Sequence, residues 1–213
     1  MAKSKNSGVF ITFEGVEGAG KTTNIEFIAE KIKEAGHPFV LTREPGGTKV
    51  GEAIRDILLS KDLPEMHHDT ELLLMFAARA EHLQRVILPA LNEGKWVLCD
   101  RFTDASYAYQ GAGRGIELYR IAALENWVQG DLRPDYTFLF DLDAKTGLSR
   151  VKSRGETDRF EQQQLDFFNK VRQQYLSLAQ QNPQRFKIIH AQYDLHTVQQ
   201  QISAALSEIR PAA

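Results

Sequence analysis

The segment FITFEGVEGAGKTT, residues 10–23, contains the most informative pattern in the chain. Its residues 15–22 fit G-x-x-x-x-G-K-[ST], with an apolar run before them and a helical pattern after them. Glycines let the backbone curl so that several N–H groups point at phosphate oxygens, and the following helix adds its positive N-terminal end. The segment therefore predicts a phosphate-binding loop between a strand and a helix.

The loop also predicts how a nucleoside triphosphate and its metal ion would be held. Lys21 would bring a mobile positive charge to the β and γ phosphates, and the Thr22 hydroxyl would be a ligand of Mg²⁺. A second acidic ligand is expected at the carboxyl end of a neighbouring strand, where Asp100 ends the run WVLCD. The residues predicted to surround the phosphates are Gly15, Val16, Glu17, Gly18, Ala19, Gly20, Lys21, Thr22 and Thr23.

Short apolar runs alternate with helical patterns along the rest of the chain. Strands are predicted at 9–13, 39–43, 96–100, 136–141 and 186–191, and helices at 21–35, 49–59, 70–91 and 195–209, with further helical patterns in the gaps. Unbroken apolar strands separated by helices pair in parallel and are covered on both faces. We therefore expect a three-layer α/β/α domain of the P-loop NTPase type with a mainly five-stranded parallel sheet, and ligands at the carboxyl ends of its strands.

Composition argues against several classes of protein. The formal net charge of −2 gives no support to a nucleic-acid binder. The apolar stretch after the polar start is too short for a signal-peptide core or a membrane span, and one cysteine allows no internal disulfide. We expect a cytoplasmic protein without nucleic-acid or membrane partners. Residues 1–213 are predicted to form one domain, with residues 1–7 as a loose tail.

A phenylalanine and an arginine on one helix suggest what kind of molecule accepts the phosphoryl group. The motifs D-x-x-G and N-K-x-D of GTPases do not occur in the sequence. Phe76 and Arg79 are spaced i, i+3 and share one helix face. A ring beside a fixed guanidinium suits a planar base whose edge accepts hydrogen bonds, as O4 of thymine and uracil does and the amino group of cytosine does not. The alternative is that Phe76 belongs to the core and Arg79 pairs with a nearby carboxylate.

Five motifs in a fixed order resemble bacterial thymidylate kinases. They are EGVEGAGKTT, TREPGG, LLLMFAARAEH, WVLCDRF and SYAYQGAGRG, and the likeness runs from about residue 8 to residue 209. The resemblance implies that MgATP phosphorylates thymidine monophosphate to thymidine diphosphate, in a homodimer. Two alternatives are a kinase of another pyrimidine nucleoside monophosphate, uridylate or cytidylate, and a non-catalytic nucleotide-binding module.

The resemblance also implies roles for individual residues. Phe76 would stack on thymine and Arg79 would read its O4, while Ser106 would meet the N3 side of the base. Tyr109 would close on the sugar, and Glu17 would lie near its 3′-hydroxyl. Arg101 would clamp the acceptor phosphate. Substrate contacts are also expected from Arg43, Pro45 and Gln110, and the catalytic residues implied are Lys21, Arg101, Arg154, Arg159 and Glu17.

The residue at position 18 suggests which segment supplies the arginine that covers the transferred phosphoryl group. Some members of this family carry an arginine in the loop directly after the acidic residue, but here that position is Gly18. The segment SRVKSRGETDRFE, residues 149–161, resembles the lid of members whose lid supplies this arginine. Arg154 is the first candidate and Arg159 the second, with Arg150 expected against the adenine of ATP. The alternative is a solvated charged loop.

If Arg154 covers the transferred phosphoryl group, Arg154→Ala is expected to lower turnover by about 10³–10⁵-fold, with little change in the binding of thymidine monophosphate. This loss corresponds to roughly 4–7 kcal/mol of activation free energy. Steady-state turnover at saturating substrates measures it. Turnover within about threefold of wild type would reject the assignment.

Overall fold

A five-stranded parallel sheet forms the centre of the molecule. The computed structural model describes residues 8–153, 158–161 and 163–209. The strands are β1 Phe10–Glu14, β2 Phe39–Arg43, β3 Trp96–Asp100, β4 Tyr136–Asp141 and β5 Phe186–His190. Their order is β2-β3-β1-β4-β5, and every neighbouring pair is parallel. The predicted fold class is confirmed.

Helices connect the strands and cover both faces of the sheet. They are α1 Lys21–Glu34, α2 Lys49–Leu59, α3 His68–His82, α4 Leu88–Asn92, α5 Thr103–Ser106, α6 Leu118–Gln129, α7 Ala144–Lys152, α8 Leu165–Gln181 and α9 Leu195–Ser207. Two π-helical segments, Leu83–Ile87 and Tyr107–Gly113, continue α3 and α5. Within the described ranges, no helix has the length and apolar character needed to cross a membrane.

The helix predicted at 70–91 is present but is not uniformly α-helical. α3, the π-helical segment Leu83–Ile87 and α4 follow one another without a break. Pro89 has no N–H and cannot bond to the carbonyl four residues earlier, so the regular i→i−4 pattern is interrupted there. The wider π-helical turn lies directly before this interruption. Gly94, with φ of 74°, follows the end of the helix.

The position of β1 in the sheet determines where ligands can bind. All five residues of β1 are buried, as expected for a central strand covered on both faces. β3 and β4 lie on either side of β1, so the chain crosses over β1 between them. In open α/β sheets the ligand crevice lies at the carboxyl ends of strands, where such a crossing occurs. The loop after β1 and Asp100 at the end of β3 meet at this edge.

The prediction of one domain over 1–213 stays a prediction. Residues 1–7, predicted to be a loose tail, lie outside the described residues.

Candidate active site

The loop between β1 and α1 follows a path that favours glycine. Gly15, Gly18 and Gly20 have φ of 144°, 72° and 78°. The Asn24 side-chain amide donates to the Gly20 carbonyl at 2.9 Å and ties the loop to α1. The first turn of α1 carries no acidic side chain, so its positive end remains available to an anion. The arrangement suits the predicted binding of phosphate.

Gly18 has no room for a side chain. A Cβ atom there would collide with the backbone carbonyl of Gly147 in α7, and a Cβ at Gly147 would collide with the carbonyl of Glu17. α7 therefore packs directly on the loop, backbone against backbone. An arginine at position 18 would require α7 to move, which gives a physical reason why this chain has none in the loop.

Two cavities adjoin at the carboxyl edge of the sheet. The first, called the loop cavity, lies over residues 17–23 and is also lined by Asp100 and Arg150. The second, called the inner pocket, lies beside α3 and the π-helical segment Tyr107–Gly113. Both are lined by Glu44, Arg55, Arg101 and Asp158. Two ligands bound in these cavities would therefore meet at the same arginines.

Arg101 lies between the two cavities. Its backbone has φ of 67°, an uncommon value for a residue with a side chain. The guanidinium donates to Glu17 Oε1 at 2.7 Å and to the Gly15 carbonyl at 3.0 Å, and it lies 4.8 Å from the centre of the Tyr109 ring. Burial alone would lower the pKa of Arg101, but the Glu17 carboxylate raises that pKa well above its usual range. Arg101 is therefore a fixed positive charge.

Glu17 joins Arg101 and Tyr109 in one cluster. The Tyr109 hydroxyl donates to Glu17 Oε1 at 3.0 Å. Burial would raise the pKa of Glu17, but Arg101 and Lys21 outweigh it and lower the pKa below its usual value. The carboxylate is therefore ionised and able to accept a hydrogen bond from a ligand hydroxyl. The structure thus brings together these three residues predicted for the sugar and phosphate of the acceptor.

Asp100 and Thr22 both line the loop cavity. Asp100 pairs with Arg43 in the register of β2 and β3, which places its carboxylate at the edge of the sheet. In the described part of the chain, Asp100 Oδ1 is buried and has no hydrogen-bond partner. A buried carboxylate oxygen without a donor is suited to a cation or its bound water. These residues fit the magnesium ion implied by the phosphate loop.

The Arg79 guanidinium has two nitrogens with hydrogen-bond partners and one nitrogen without. Nε donates to Glu44 Oε2 at 2.7 Å, and one terminal nitrogen, Nη2, donates to Ser106 Oγ at 3.1 Å and to the Phe102 carbonyl at 3.2 Å. The other terminal nitrogen, Nη1, is buried and finds no partner among the described residues. Arg79 and Ser106 both line the inner pocket. Arg79 therefore pairs with the carboxylate of Glu44, as the alternative hypothesis from the sequence predicted. Its Nη1 nitrogen remains a donor for a ligand.

Phe76 packs against Arg79, whose guanidinium carbon lies 4.6 Å from the ring centre, and its predicted stacking on the base stays a prediction. Among the described residues, the lining of the inner pocket includes Met75 and omits Phe76. Phe76 is 2% exposed and packs in a core cluster with Leu72, Ile116 and Ile121. Residues 75 and 79 are one helical turn apart at i, i+4, so Met75 shares a face with Arg79. The sequence drew attention to Phe76 because its side chain is aromatic. In α3 the neighbouring residue, Met75, is the one that lines the inner pocket.

The remaining predicted substrate residues are divided between the two cavities. Pro45, Tyr109 and Gln110 line the inner pocket, whereas Arg43 lines the loop cavity and pairs with Glu52 at 2.7 Å. Arg55 was not predicted, although it lines both cavities and donates to the Pro45 carbonyl at 2.9 Å. Nothing in the sequence around Arg55, which follows the REPGG motif in α2, indicated that it lies at the site; its charge was the only hint.

The two described arginines of the predicted lid take different positions. Arg150 reaches over the loop towards the Gly18 carbonyl, at 3.3 Å, and lines the loop cavity. Arg159 donates to Glu71 Oε2 at 2.7 Å and to the Leu58 carbonyl at 2.9 Å, and within the described residues it lines neither cavity. Arg159 is thus paired with the fully buried Glu71, and its predicted catalytic role stays a prediction. Arg154 lies outside the described residues.

Glu14, at the end of β1, was not predicted and supports the site from behind. Its carboxyl group accepts from the Phe102 amide at 2.8 Å and from the Tyr175 hydroxyl at 2.7 Å. Arg101 Nη1 lies 3.3 Å from the same Tyr175 hydroxyl. Burial, together with the charge of Asp104, raises the pKa of Glu14 to about 8. Glu14 thus holds the backbone that follows Arg101 and the tyrosine beside its guanidinium.

The fold and the two adjoining cavities define a class of protein, the P-loop kinases that phosphorylate nucleoside monophosphates. The family model of thymidylate kinase matches residues 13–202. The thymidylate kinase of Pseudomonas fluorescens strain Pf-5 is 56% identical over 203 residues, which are 95% of this chain and 97% of the relative. That of Pseudomonas entomophila strain L48 is 57% identical over 203 residues, again 95% and 97%.

A solved structure gives the same result. The crystal structure of thymidylate kinase from Ehrlichia chaffeensis superposes with a TM-score of 0.75 at 34% identity, covering 94% of this chain and 99% of that one. The chain belongs to the thymidylate kinase family.

The raised pKa of Glu14 predicts a pH-dependent contribution to stability. Its pKa is about 8 in the folded protein and about 4.5 ordinarily, so between these values the folded state holds a proton that the unfolded state has lost. The contribution is complete below about pH 4.5 and is lost as the pH rises through about 8. We expect the unfolding free energy of wild type, relative to Glu14→Gln, to fall over this range.

Urea denaturation of wild type and Glu14→Gln at several pH values measures this difference. Glutamine has nearly the shape of the protonated acid and does not titrate, so it isolates the one group. Unfolding free energies that stay parallel from about pH 5 to about pH 9 would contradict the assignment.

Proposed function

We propose that the chain transfers the γ-phosphoryl group of MgATP in line to thymidine monophosphate, with ATP in the loop cavity and the acceptor in the inner pocket. As a member of the thymidylate kinase family, the chain is a phosphotransferase that converts thymidine monophosphate to thymidine diphosphate with ATP. The observation that carries the geometry is that Arg101 and Arg55 line both cavities. Two arginines, accompanied by Glu44 and Asp158, thereby lie where the two nucleotides would meet.

The loop cavity supplies the parts that phosphoryl transfer needs on the donor side. Backbone N–H groups of the loop and the start of α1 would bind the phosphates of ATP. Lys21 lines the cavity, and its ammonium group would bind the β and γ phosphates. Arg150, over the loop, would lie against the adenine end. Phosphoryl transfer depends mainly on alignment and on neutralising the oxygens of the moving group, which this set of donors provides.

Thr22 and Asp100 would hold the magnesium ion that accompanies ATP. The unpartnered Oδ1 of Asp100 supports this placement, as far as the described residues show. Bound there, Mg²⁺ would neutralise charge on the β and γ phosphate oxygens.

The acceptor side is built from Arg101, Glu17 and Tyr109. Arg101 would bind the phosphate of thymidine monophosphate and keep its oxygens near the γ-phosphoryl group. The ionised Glu17 would accept a hydrogen bond from the 3′-hydroxyl of the sugar, and the Tyr109 ring would close on the sugar. Holding both reactants in this way converts a bimolecular encounter into an aligned reaction within one complex.

The base would lie against Arg79, Met75 and Ser106. The open Nη1 of Arg79 would donate to O4 of thymine. Cytosine presents an amino group at that position, which would place two donors face to face. Thymine and uracil differ by one methyl group, which gives a smaller preference of roughly 10- to 200-fold.

We expect ADP release to depend on the acceptor, in the order thymidine, deoxyuridine and deoxycytidine monophosphate. A coupled assay with each acceptor measures kcat/KM, and removal of Mg²⁺ with a chelator followed by its return provides the metal control. A higher kcat/KM for deoxycytidine monophosphate would overturn the assignment of the pocket. Nucleotide binding without acceptor-dependent ADP release would favour the non-catalytic module, and activity that survives the chelator would reject the role of Thr22 and Asp100.

A homodimer is the proposed assembly. α3 and α6 pack together and expose large apolar side chains: Trp127 is 83% exposed, Tyr119 73% and Leu73 56%. Large exposed apolar side chains on two helices that pack together suit an interaction site, and the resemblance to the family indicates a second copy of the chain. The cytoplasmic location stays a prediction.

Trp127→Glu is expected to shift the chain from dimer to monomer, because it places a charge within the apolar surface that a second copy would bury. Light scattering at micromolar concentration measures the molar mass of both proteins. Tyr193→Glu is a matched control, since Tyr193 is also an exposed aromatic residue but lies after β5. A monomeric wild type, or equal masses for wild type and Trp127→Glu, would remove this proposal.

A further inference from the structure

Behind the inner pocket, four side chains form a continuous series of hydrogen bonds. Thr42 Oγ1 lies 2.7 Å from Nε2 of His82, and Nδ1 of His82 lies 3.0 Å from Glu44 Oε1. The other oxygen of Glu44 accepts from Arg79 Nε at 2.7 Å. His82 is fully buried, and Glu44 and Arg79 nearly so. We refer to Thr42, His82, Glu44 and Arg79 as the Thr42–Arg79 relay.

We propose that the Thr42–Arg79 relay fixes the guanidinium that reads the base, and that Thr42 and His82 are positioning residues for selectivity between 4-oxo and 4-amino pyrimidines. This inference rests on the proposed contact between Arg79 and the base. Thr42 and His82 are not among the described residues that line the inner pocket, so they would act through Glu44.

The geometry of arginine makes such positioning effective. A guanidinium is planar and carries donors only, so fixing two of its nitrogens also fixes the third. Glu44 holds Nε, while Ser106 and the Phe102 carbonyl hold Nη2. Nη1 is the nitrogen left without a partner in the described structure. A ligand acceptor would satisfy this buried donor, whereas a ligand donor would leave it unsatisfied.

Glu44 alone would not hold this orientation. The last torsion of a glutamate side chain is broad, so a carboxylate bonded on one side can rotate. The bond from His82 holds the second oxygen, and the bond to Thr42 holds the imidazole ring. The backbone of Gly47 also packs closely against the imidazole ring and confines it. A Cβ atom at Gly47 would lie only 2.6 Å from His82 Nε2. The relay therefore keeps the carboxylate in the plane that meets Arg79.

Thr42 offers a variant pair that changes one hydroxyl and little else. Thr42→Val keeps the β-branched shape suited to strand β2 and removes the hydrogen bond, whereas Thr42→Ser keeps the hydroxyl. For Thr42→Val we expect the KM for thymidine monophosphate to rise about five- to tenfold, with kcat and the KM for ATP within about twofold of wild type. Since deoxycytidine monophosphate gains nothing from Nη1, its kcat/KM should change little.

The readout is the ratio of kcat/KM for thymidine monophosphate to that for deoxycytidine monophosphate. We expect this ratio to fall about five- to tenfold in Thr42→Val and to return to within about twofold of wild type in Thr42→Ser. Glu44→Gln should lower it further, because the amide presents a donor to Arg79 or to His82. Titration calorimetry with thymidine monophosphate and with deoxycytidine monophosphate gives the corresponding ratio of affinities where turnover is low.

Two results would overturn the relay. One is a ratio in Thr42→Val within about twofold of wild type. The other is an equal loss with both acceptors that Thr42→Ser does not repair, since that outcome shows only a structural role for the threonine. Failure of the wild-type chain to phosphorylate thymidine monophosphate would instead reject the proposed function, so the two failures are distinguishable.

Discussion

The buried charge of Arg101 is the constraint on which the arrangement of the site depends. Its guanidinium lies between the loop cavity and the inner pocket and is held by Glu17 and the Gly15 carbonyl. A buried charge without partners would be costly, so the loop, β3 and α8 must converge to satisfy it. The same convergence brings the phosphate loop beside the inner pocket. One electrostatic requirement thus couples the packing of the sheet edge to the geometry of phosphoryl transfer.

A second set of constraints lies on the buried face of α3. Glu71, Arg79 and His82 are all buried there, and each is paired with residues distant in the sequence. Breaking one partner of a buried ion pair typically costs about 3–5 kcal/mol, so these pairings hold α3 against its neighbours strongly. Glu71 binds the lid segment through Arg159, whereas Arg79 and His82 bind the strand end at Glu44. α3 thereby links the segment at Arg159, the inner pocket and the end of β2.

The prediction of the fold succeeded because its signals are local. A strand, a glycine-rich turn and a helix are read from neighbouring residues, and the glycines at 15, 18 and 20 adopt the positive φ that the phosphate-loop pattern requires. The motif order also identified the thymidylate kinase family, which the relatives confirm. Contacts made across the fold were not indicated by the sequence. Among the described residues, Met75 and not Phe76 lines the inner pocket, and Arg159 is paired with Glu71.

The sequence by itself determined the sheet, the phosphate loop and the chemical class of the reaction, because periodicity and motif spacing follow directly from the order of residues. Tertiary structure alone decided which charged side chains line the two cavities and which pair with one another. Glu14, Arg55 and His82 are examples, since nothing adjacent to them in the chain indicates their partners. Ion pairs and hydrogen bonds between distant segments depend on how helices rotate and pack against the sheet, and that is settled only when the whole core is buried together.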